Sequence, residues 1–66
     1  MKNRLKIERA ILDITQDELA QQIGVSRQTI NSIEKNRYVP STVLALKLSE
    51  VFKKPVNEFF ELDIND

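Results

Sequence analysis

The sequence predicts an all-α fold, a compact bundle of five helices with a short C-terminal β-strand. Residues that cap helix N-termini recur along the 66 residues with short gaps between them. Apolar residues follow these caps at helical spacing. Only one Gly and two Pro interrupt the chain, and it contains no repeat or low-complexity linker. We therefore expect residues 1–66 to form a single domain with its core in residues 4–60.

The first helix is predicted over about Arg4–Leu12, because Asn3 can cap its N-terminus. The side chains expected to face inward on it are Leu5, Ile11 and Leu12. The second helix is expected to begin at Gln16, since Thr15 and Glu18 fit a capping box. Its apolar residues have helical spacing and are Leu19, Ala20 and Ile23.

A tight turn that begins with Gly24 separates the second helix from the third. Gly supplies the left-handed conformation that ends many helices. Ser26 can cap the next helix, which is expected to run from about Arg27 to Lys35. The only strongly apolar residues on this helix are Ile30 and Ile33, so its outward face is polar. Asn36 tolerates the left-handed conformation and can close the helix.

Residues 36–40 are predicted to form a loop, after which Ser41 caps a fourth helix that ends near Phe52. The broad apolar face of this helix consists of Leu44, Ala45, Leu48, Val51 and Phe52. Pro55 suits the first turn of a short fifth helix. The apolar residues of the fifth helix are Val56, Phe59 and Phe60. Phe60, Leu62 and Ile64 then alternate with acidic residues, which is the period of a half-buried strand.

Charge and composition exclude several function classes. The ten basic and ten acidic residues cancel, but four acidic residues lie in the last nine, which leaves a balance of +4 on residues 1–57. The chain has no Cys, no His and no Gly-rich phosphate loop, so we expect neither an enzyme nor a cofactor or metal. No apolar run is long enough for a signal peptide or a membrane span. A cytoplasmic protein without membrane contact is therefore expected.

The second and third predicted helices carry the residues that a helix-turn-helix needs. Two short helices that cross steeply require a small residue where they approach, a flexible residue in the turn, and apolar residues that lock the pair. These residues are Ala20, Gly24, Val25, Ile30 and Ile33. A helical hairpin in any bundle shares much of this pattern. The pattern alone therefore predicts a tight helical pair and leaves its function open.

The segment Thr15–Ser41, TQDELAQQIGVSRQTINSIEKNRYVPS, resembles the lambdoid phage repressor and Cro (Xre) family of regulators. It is especially similar to small single-domain bacterial and archaeal members with an SRQTI start to the recognition helix and a following Y-x-P-S loop. The resemblance extends from about Asn3 to Phe60 and implies a lambda repressor-like DNA-binding domain whose helix-turn-helix occupies residues 16–35. The family often has a Gly before the cap of helix two. This chain has Asp13 and Ile14 there, which leaves the conformation of the first loop open.

The resemblance implies that double-stranded DNA is contacted through the major groove by the second helix, the third helix and the loop after it. The residues at the matching positions are Gln16, Ser26, Arg27, Gln28, Thr29, Asn31, Ser32, Lys35, Asn36, Arg37 and Tyr38. Gln16 would contact a phosphate and brace the recognition helix, since an amide donor beside a helix N-terminus suits an anion. A solvated Gln in a first turn is the alternative.

Arg27 and Gln28 open the recognition helix and are the expected base readers, because Arg can bridge guanine O6 and N7 while Gln can bridge adenine N6 and N7. Thr29 and Asn31 can add base or phosphate contacts, and Ser32 is a weaker candidate. The cations, amide and phenol of residues 35–38 fit phosphate contact. A solvated loop has the same composition, and the Tyr38 ring can instead pack under helix four.

Arg9 and Glu34 match positions that form a structural salt bridge in the phage repressors. The family generally binds DNA as two-fold dimers with half-sites about 34 Å apart. The end of the chain is more apolar than a small monomer readily covers. We therefore expect a homodimer interface formed by Val56, Phe59, Phe60, Leu62 and Ile64. The alternative is that Phe59 and Phe60 complete the monomer core.

These observations predict a sequence-specific, DNA-binding transcription regulator, a repressor in the first instance, that binds a two-fold operator as a homodimer. No small-molecule effector domain is expected in a chain of 66 residues. Two alternatives remain open. The first is a protein-interaction module on the same fold, which the net charge of zero favours. The second is a DNA-binding antitoxin or restriction-modification controller, which the sequence alone does not separate from a repressor.

Overall fold

The computed structural model describes residues 1–66. They form four α-helices, one 3-10 helix and a two-stranded antiparallel ribbon. Helices α1 to α4 span Leu5–Leu12, Gln16–Ile23, Arg27–Glu34 and Thr42–Phe52. The strands β1 and β2 are Lys2–Asn3 and Phe60–Glu61, and the 3-10 helix covers Val56–Glu58. The first four predicted helices are thus confirmed. None of the helices has both the length and the apolar character of a membrane span.

The predicted fifth helix is wrong, because only the single turn Val56–Glu58 is helical. Beyond this turn the chain pairs with its own N-terminus. The backbone N–H of Arg4 donates to the Phe59 carbonyl at 2.9 Å, and Phe60 is the register partner of Asn3. This pairing replaces further helical hydrogen bonds. It also allows both phenyl rings to enter the core, where Phe59 packs edge-on against Phe52 with ring centroids 5.0 Å apart.

The C-terminal strand is present, but it is shorter than the alternating pattern predicts. Only Phe60–Glu61 pairs with β1, and the following Leu62 and Ile64 are 78% and 95% exposed. The chain turns instead, and the Asp66 carboxylate accepts from the Met1 ammonium group at 3.2 Å. The pKa of Asp66 is lowered most by a hydrogen bond from the Asp63 backbone N–H. The contact with the terminal ammonium group lowers it further. The tail therefore folds back onto the N-terminus.

The predicted caps form at helices α2, α3 and α4. The Thr15 hydroxyl accepts from the Glu18 backbone N–H at 3.0 Å while the Glu18 carboxylate accepts from the Thr15 backbone N–H at 3.0 Å, which completes the capping box. Ser26 and Ser41 each accept from a first-turn N–H at 3.2 Å. Helix α1 begins one residue later than predicted. The Asn3 side chain still satisfies its first N–H, by accepting from Leu5 at 3.1 Å.

A residue in the left-handed conformation follows each of the four helices. These residues are Asp13, Gly24, Asn36 and Lys53, with φ values of 55°, 74°, 59° and 56°. The left-handed conformations predicted for Gly24 and Asn36 are confirmed. The first loop, whose conformation the sequence leaves open, turns at Asp13 in the left-handed conformation that Gly adopts most readily.

The core brings together buried side chains from all four helices and the C-terminal segment. Its members are Leu5, Leu19, Ala20, Ile23, Ile30, Ile33, Leu48, Phe52, Phe59 and Phe60. The expectation that Ile11 and Leu12 face inward is wrong, since they are 64% and 43% exposed. The face of α1 that meets the bundle carries Leu5 together with the charged residues Glu8 and Arg9, whose partners lie on other segments.

Glu8 is a buried carboxylate that no pattern in the sequence indicates. Its two oxygens accept from the Lys54 ammonium group at 2.9 and 3.1 Å, and its side chain is only 6% exposed. A buried carboxylate needs such a partner, because removal from water disfavours its charged form. This ion pair ties α1 to the segment after α4.

Candidate nucleic-acid interface

Helices α2 and α3 form the predicted tight pair. Gly24 ends α2 in the left-handed conformation, and the Val25 backbone N–H donates to the Ala20 carbonyl at 3.0 Å. The chain is then extended at Ser26, where α3 begins. Buried Leu19, Ala20 and Ile23 of α2 belong to the same core cluster as Ile30 and Ile33 of α3. The helix-turn-helix predicted from these residues is confirmed.

A chain of polar side chains connects α1, α2 and α3 beside this core. The Arg9 guanidinium donates to both Glu34 oxygens, through Nε at 2.6 Å and a terminal nitrogen at 3.1 Å. Its other terminal nitrogen donates to the Ile14 carbonyl at 3.1 Å. Gln16 donates from Nε2 to Glu34 Oε1 at 3.1 Å and to Asn31 Oδ1 at 3.3 Å. These contacts place the predicted Arg9–Glu34 pair and the bracing role of Gln16 in one network.

The Arg9–Glu34 ion pair is mostly shielded from water, with 15% and 8% of the two side chains exposed. The hydrogen bond that Arg9 donates to Glu34 raises the pKa of Arg9, burial opposes this effect, and the nearby carboxylate charge adds to it. The guanidinium therefore stays charged. A bidentate pair of this kind fixes both position and orientation, because two parallel hydrogen bonds restrict rotation.

The solvent face of α3 begins with two exposed side chains, Arg27 and Gln28, that make no hydrogen bond within the protein. A shallow depression lies beside them, between α3 and the loop that follows it. It is lined by Ser26, Gln28, Thr29, Ser32, Arg37 and Tyr38. Most of the residues predicted to contact DNA are thus brought to one surface. We call this surface the α3 face and define it by Ser26, Arg27, Gln28, Thr29, Ser32, Arg37 and Tyr38.

Three cations lie on or next to the α3 face. Arg27, Lys35 and Arg37 are exposed, and the ion pairs of the structure involve other residues. A positive group without a nearby carboxylate remains available to a phosphate. The Tyr38 ring is 44% exposed, so it is only partly covered by the rest of the protein.

Some predicted site residues already have partners within the protein. The Ser26 hydroxyl caps α3 and lies 3.0 Å from the Thr29 hydroxyl, so these two groups satisfy each other. Asn36 accepts at its side-chain oxygen from Asn3 Nδ2 at 2.8 Å. Asn3 also donates to the Ile33 carbonyl at 2.8 Å and thereby ties β1 to the end of α3. The sequence showed Asn3 only as a helix cap, and no local pattern pointed to this second contact.

The helix-turn-helix family model matches residues 5–59 of the chain. An uncharacterized HTH-type transcriptional regulator of Methanocaldococcus jannaschii is 48% identical over 60 residues, which cover 91% of each chain. Uncharacterized HTH-type transcriptional regulators of Bacillus subtilis and Archaeoglobus fulgidus are each 43% identical over 63 residues. These residues cover 96% of this chain and 96% and 89% of theirs. With the capped α2–α3 pair and the polar α3 face, this shows that the chain belongs to the helix-turn-helix family of lambda repressor-like (Xre) transcriptional regulators.

Proposed function

We propose that this protein is a sequence-specific regulator that places α3 in the major groove of double-stranded DNA. The observation that carries the proposal is the α3 face itself. Its first turn presents Arg27 and Gln28 without internal partners, on a helix that hydrogen bonds tie to α1 and α2. Rigid support is what a reading helix needs, since base contacts require fixed donor and acceptor positions.

The α3 face divides into base-reading and phosphate-binding parts. In the proposed complex Arg27 and Gln28 contact base edges, with Asn31 one turn further along. Lys35 and Arg37, beside the partly exposed Tyr38, contact the sugar-phosphate backbone. The Gln16 amide is engaged with Glu34 and Asn31, so its phosphate contact is made by the backbone N–H at the start of α2.

Binding to duplex DNA at several salt concentrations tests this proposal. Phosphate contacts release counterions, so the affinity should fall steeply as salt is added. The logarithm of the binding constant should decrease linearly with the logarithm of the salt concentration. A set of random duplexes selected by the protein should also converge on one sequence. Binding that is absent, or insensitive to salt, would favour a protein-interaction module on the same fold.

We further propose that the protein binds as a homodimer, through a surface that differs in part from the predicted one. Phe59 and Phe60 are 1% and 6% exposed, so they belong to the monomer core and have little surface to offer a partner. Phe60 and Val56 are nevertheless among the residues that line an open, mostly apolar groove. This groove, which we call the α4 groove, is lined by Met1, Val39, Pro40, Thr42, Ala45, Leu46, Val56 and Phe60.

The α4 groove suits a second copy of the chain for two reasons. Val39 and Leu46 are 64% and 57% exposed, and neighbouring Val43 is 61% exposed, which makes an apolar patch where water is unfavourable. Val39 of the groove directly follows Tyr38 of the α3 face in the sequence, so a dimer formed there would keep both α3 faces near the shared interface. The exposed Leu62 and Ile64 of the tail would lie at the margin of this interface.

We propose repression as the regulatory outcome, because occupancy of an operator that overlaps a promoter requires only the DNA-binding surface. Transcription in vitro from a promoter that carries the selected site should decrease when the protein is added. An increase would indicate activation. Antitoxin or restriction-modification controller activity would involve the same DNA contacts, and genes adjacent to the coding sequence would identify that role.

A further inference from the structure

We infer that Asn31 is a specificity-determining residue that presents only hydrogen-bond donors to DNA, because three other side chains fix the orientation of its amide. The inference rests on the proposed function, since it names the base chemistry that α3 reads. It follows from the polarity of consecutive hydrogen bonds, which begin at Arg9 and end at Asn31.

Arg9 fixes the carboxylate of Glu34. Arg9 donates to both of its oxygens at 2.6 and 3.1 Å, and the pair is largely shielded from water. An ionised carboxylate accepts hydrogen bonds and donates none. Any amide that contacts Glu34 must therefore present its nitrogen.

Glu34 in turn fixes the amide of Gln16. Its Nε2 lies 3.1 Å from Glu34 Oε1, and turning the amide round would bring two acceptor oxygens together. The NH₂ group has two hydrogens, and the second is directed at Asn31, at 3.3 Å. Both hydrogens of the Gln16 amide are therefore used in hydrogen bonds within the protein.

Gln16 then fixes the amide of Asn31. Because Gln16 offers only a donor, Asn31 presents Oδ1 to it and turns Nδ2 away. Asn31 Nδ2 makes no hydrogen bond to the protein, and no buried side-chain polar atom of the structure lacks a partner. Nδ2 therefore reaches solvent on α3, with both of its hydrogens free.

This orientation reverses the usual expectation for an asparagine reader. A bidentate contact with adenine needs a donor for N7 and an acceptor for the N6 amino group on the same edge of the amide, but Asn31 Oδ1 is directed at Gln16 Nε2. Guanine instead offers two acceptors, N7 and O6, to one NH₂ group. The base opposite Asn31 should accordingly be guanine, and adenine there should be disfavoured by its amino group.

Selection of binding sites from random DNA tests the inference. The base position read by Asn31 is identified as the one whose preference disappears in Asn31→Ala. The wild-type protein should select guanine there. In Gln16→Ala the Asn31 amide is free to turn. The preference for guanine over adenine at this position should therefore fall by about 5- to 150-fold. Gln22→Ala alters an exposed glutamine of the same helix and should leave the preference unchanged.

Two results of the selection would overturn the inference. One is an adenine preference at this position in the wild-type protein. The other is a guanine preference that survives in a folded Gln16→Ala variant. If no variant selects any sequence, the proposed function itself fails, and the amide orientation is then decided without DNA.

Amide hydrogen exchange measured by NMR on the free wild-type protein tests the orientation of the Gln16 and Asn31 amides without DNA. The Gln16 side-chain NH₂ donates two hydrogen bonds and should exchange slowly. The Asn31 NH₂ should exchange at the rate of the exposed Gln22 amide. Protection of Asn31 instead of Gln16 would contradict the inferred orientation, whatever DNA the protein binds.

Discussion

Arg9 joins three segments of the protein through one guanidinium group. Two of its nitrogens bind Glu34 of α3, and the third binds the Ile14 carbonyl in the loop before α2. Glu34 in turn accepts from Gln16, so the position of α3 depends on this ion pair. Removal of either charged partner leaves the other charge partly buried without compensation, and this arrangement is far more costly than loss of an exposed pair.

Arg9→Ala should therefore destabilise the fold by about 3 kcal/mol, at the lower end of the range for buried pairs, because some of the side chain is exposed. Urea unfolding followed by circular dichroism measures this change. Arg4→Ala provides the control, since this exposed arginine makes no ion pair and its loss should cost less than about 0.5 kcal/mol. Equal losses in the two variants would show that the network contributes nothing specific.

Gln28 is the residue on which direct base reading can be tested most simply. It is exposed, lines the depression on the α3 face and has no internal partner, so its removal should leave the fold intact. Gln28→Ala should weaken binding to the selected site by about 1–3 kcal/mol and relax the preference at one base position. Fluorescence anisotropy with selected and random duplexes measures both effects. An equal loss on the two duplexes would assign Gln28 to phosphate contact.

The ends of the helices show how this short chain makes tight connections with a single Gly. Asp13, Asn36 and Lys53 adopt the left-handed conformation that non-Gly residues avoid, because Cβ then approaches the backbone. Asp and Asn are better suited to this conformation than Lys, since their short polar side chains can bond locally. The left-handed conformation is therefore least favourable at Lys53.

Lys53→Gly should stabilise the protein by about 1 kcal/mol, because it removes this steric cost at a small entropic expense in the unfolded chain. In a domain of this size the midpoint of thermal unfolding should rise by about 4–8 °C. Lys53→Ala retains Cβ and should give no such gain. A gain of the same size with Ala would assign the effect to the loss of the Lys side chain and not to the backbone.

At the level of elements, local signals predicted α2, α3 and α4 well because each begins with a Ser or Thr cap and ends at a turn. Helix α1 was placed correctly and Leu5 is buried as expected, but Ile11 and Leu12 were wrongly assigned to the inward face. Ile11 and Leu12 are exposed because Glu8 and Arg9 have partners on distant segments. The fifth helix failed for a similar reason. The pairing of Phe60 with Asn3 joins the two ends of the chain, and no local pattern encodes it.

The candidate site could likewise be predicted only where local sequence signals determine it. The outward face of α3 could be predicted from the cap at Ser26 and the narrow stripe of Ile30 and Ile33. The side-chain partners of Gln16 and Asn3 could not, because each joins residues far apart in sequence. These long-range bonds decide which amide groups remain available to DNA.

For the whole molecule, a net charge of zero does not prevent binding to a polyanion, because charge position matters more than charge sum. Glu8 and Glu34 are held in ion pairs, while the cations of the α3 face are exposed without carboxylate partners. The acidic tail folds back on Met1. Binding should therefore depend on a few cations of the α3 face and its flanking loop.

Arg37→Ala should weaken binding to selected and random duplexes by similar factors and reduce the salt slope by about one, because one phosphate contact is lost. Lys6→Ala removes an equal charge from the exposed surface of α1 and should leave the slope unchanged. Affinities measured over a series of salt concentrations provide both values. Equal reductions of the slope would mean that net charge, and not the α3 face, governs binding.

The assembly of two chains can be tested with a charge in the α4 groove. Leu46 is 57% exposed, so Leu46→Asp should leave the monomer folded but disfavour an apolar interface, where an unpaired charge would be desolvated. Sedimentation should show a dimer for the wild type at about tens of micromolar and a monomer for the variant.

Ile11→Asp places the same charge on another apolar residue, 64% exposed on α1, and should leave the dimer intact. Binding to a two-fold site should also weaken at least tenfold in Leu46→Asp, while binding to an isolated half-site stays the same, because the α3 face is unaltered. A wild-type monomer at these concentrations, or a dimer that persists in Leu46→Asp, would exclude the α4 groove as the interface.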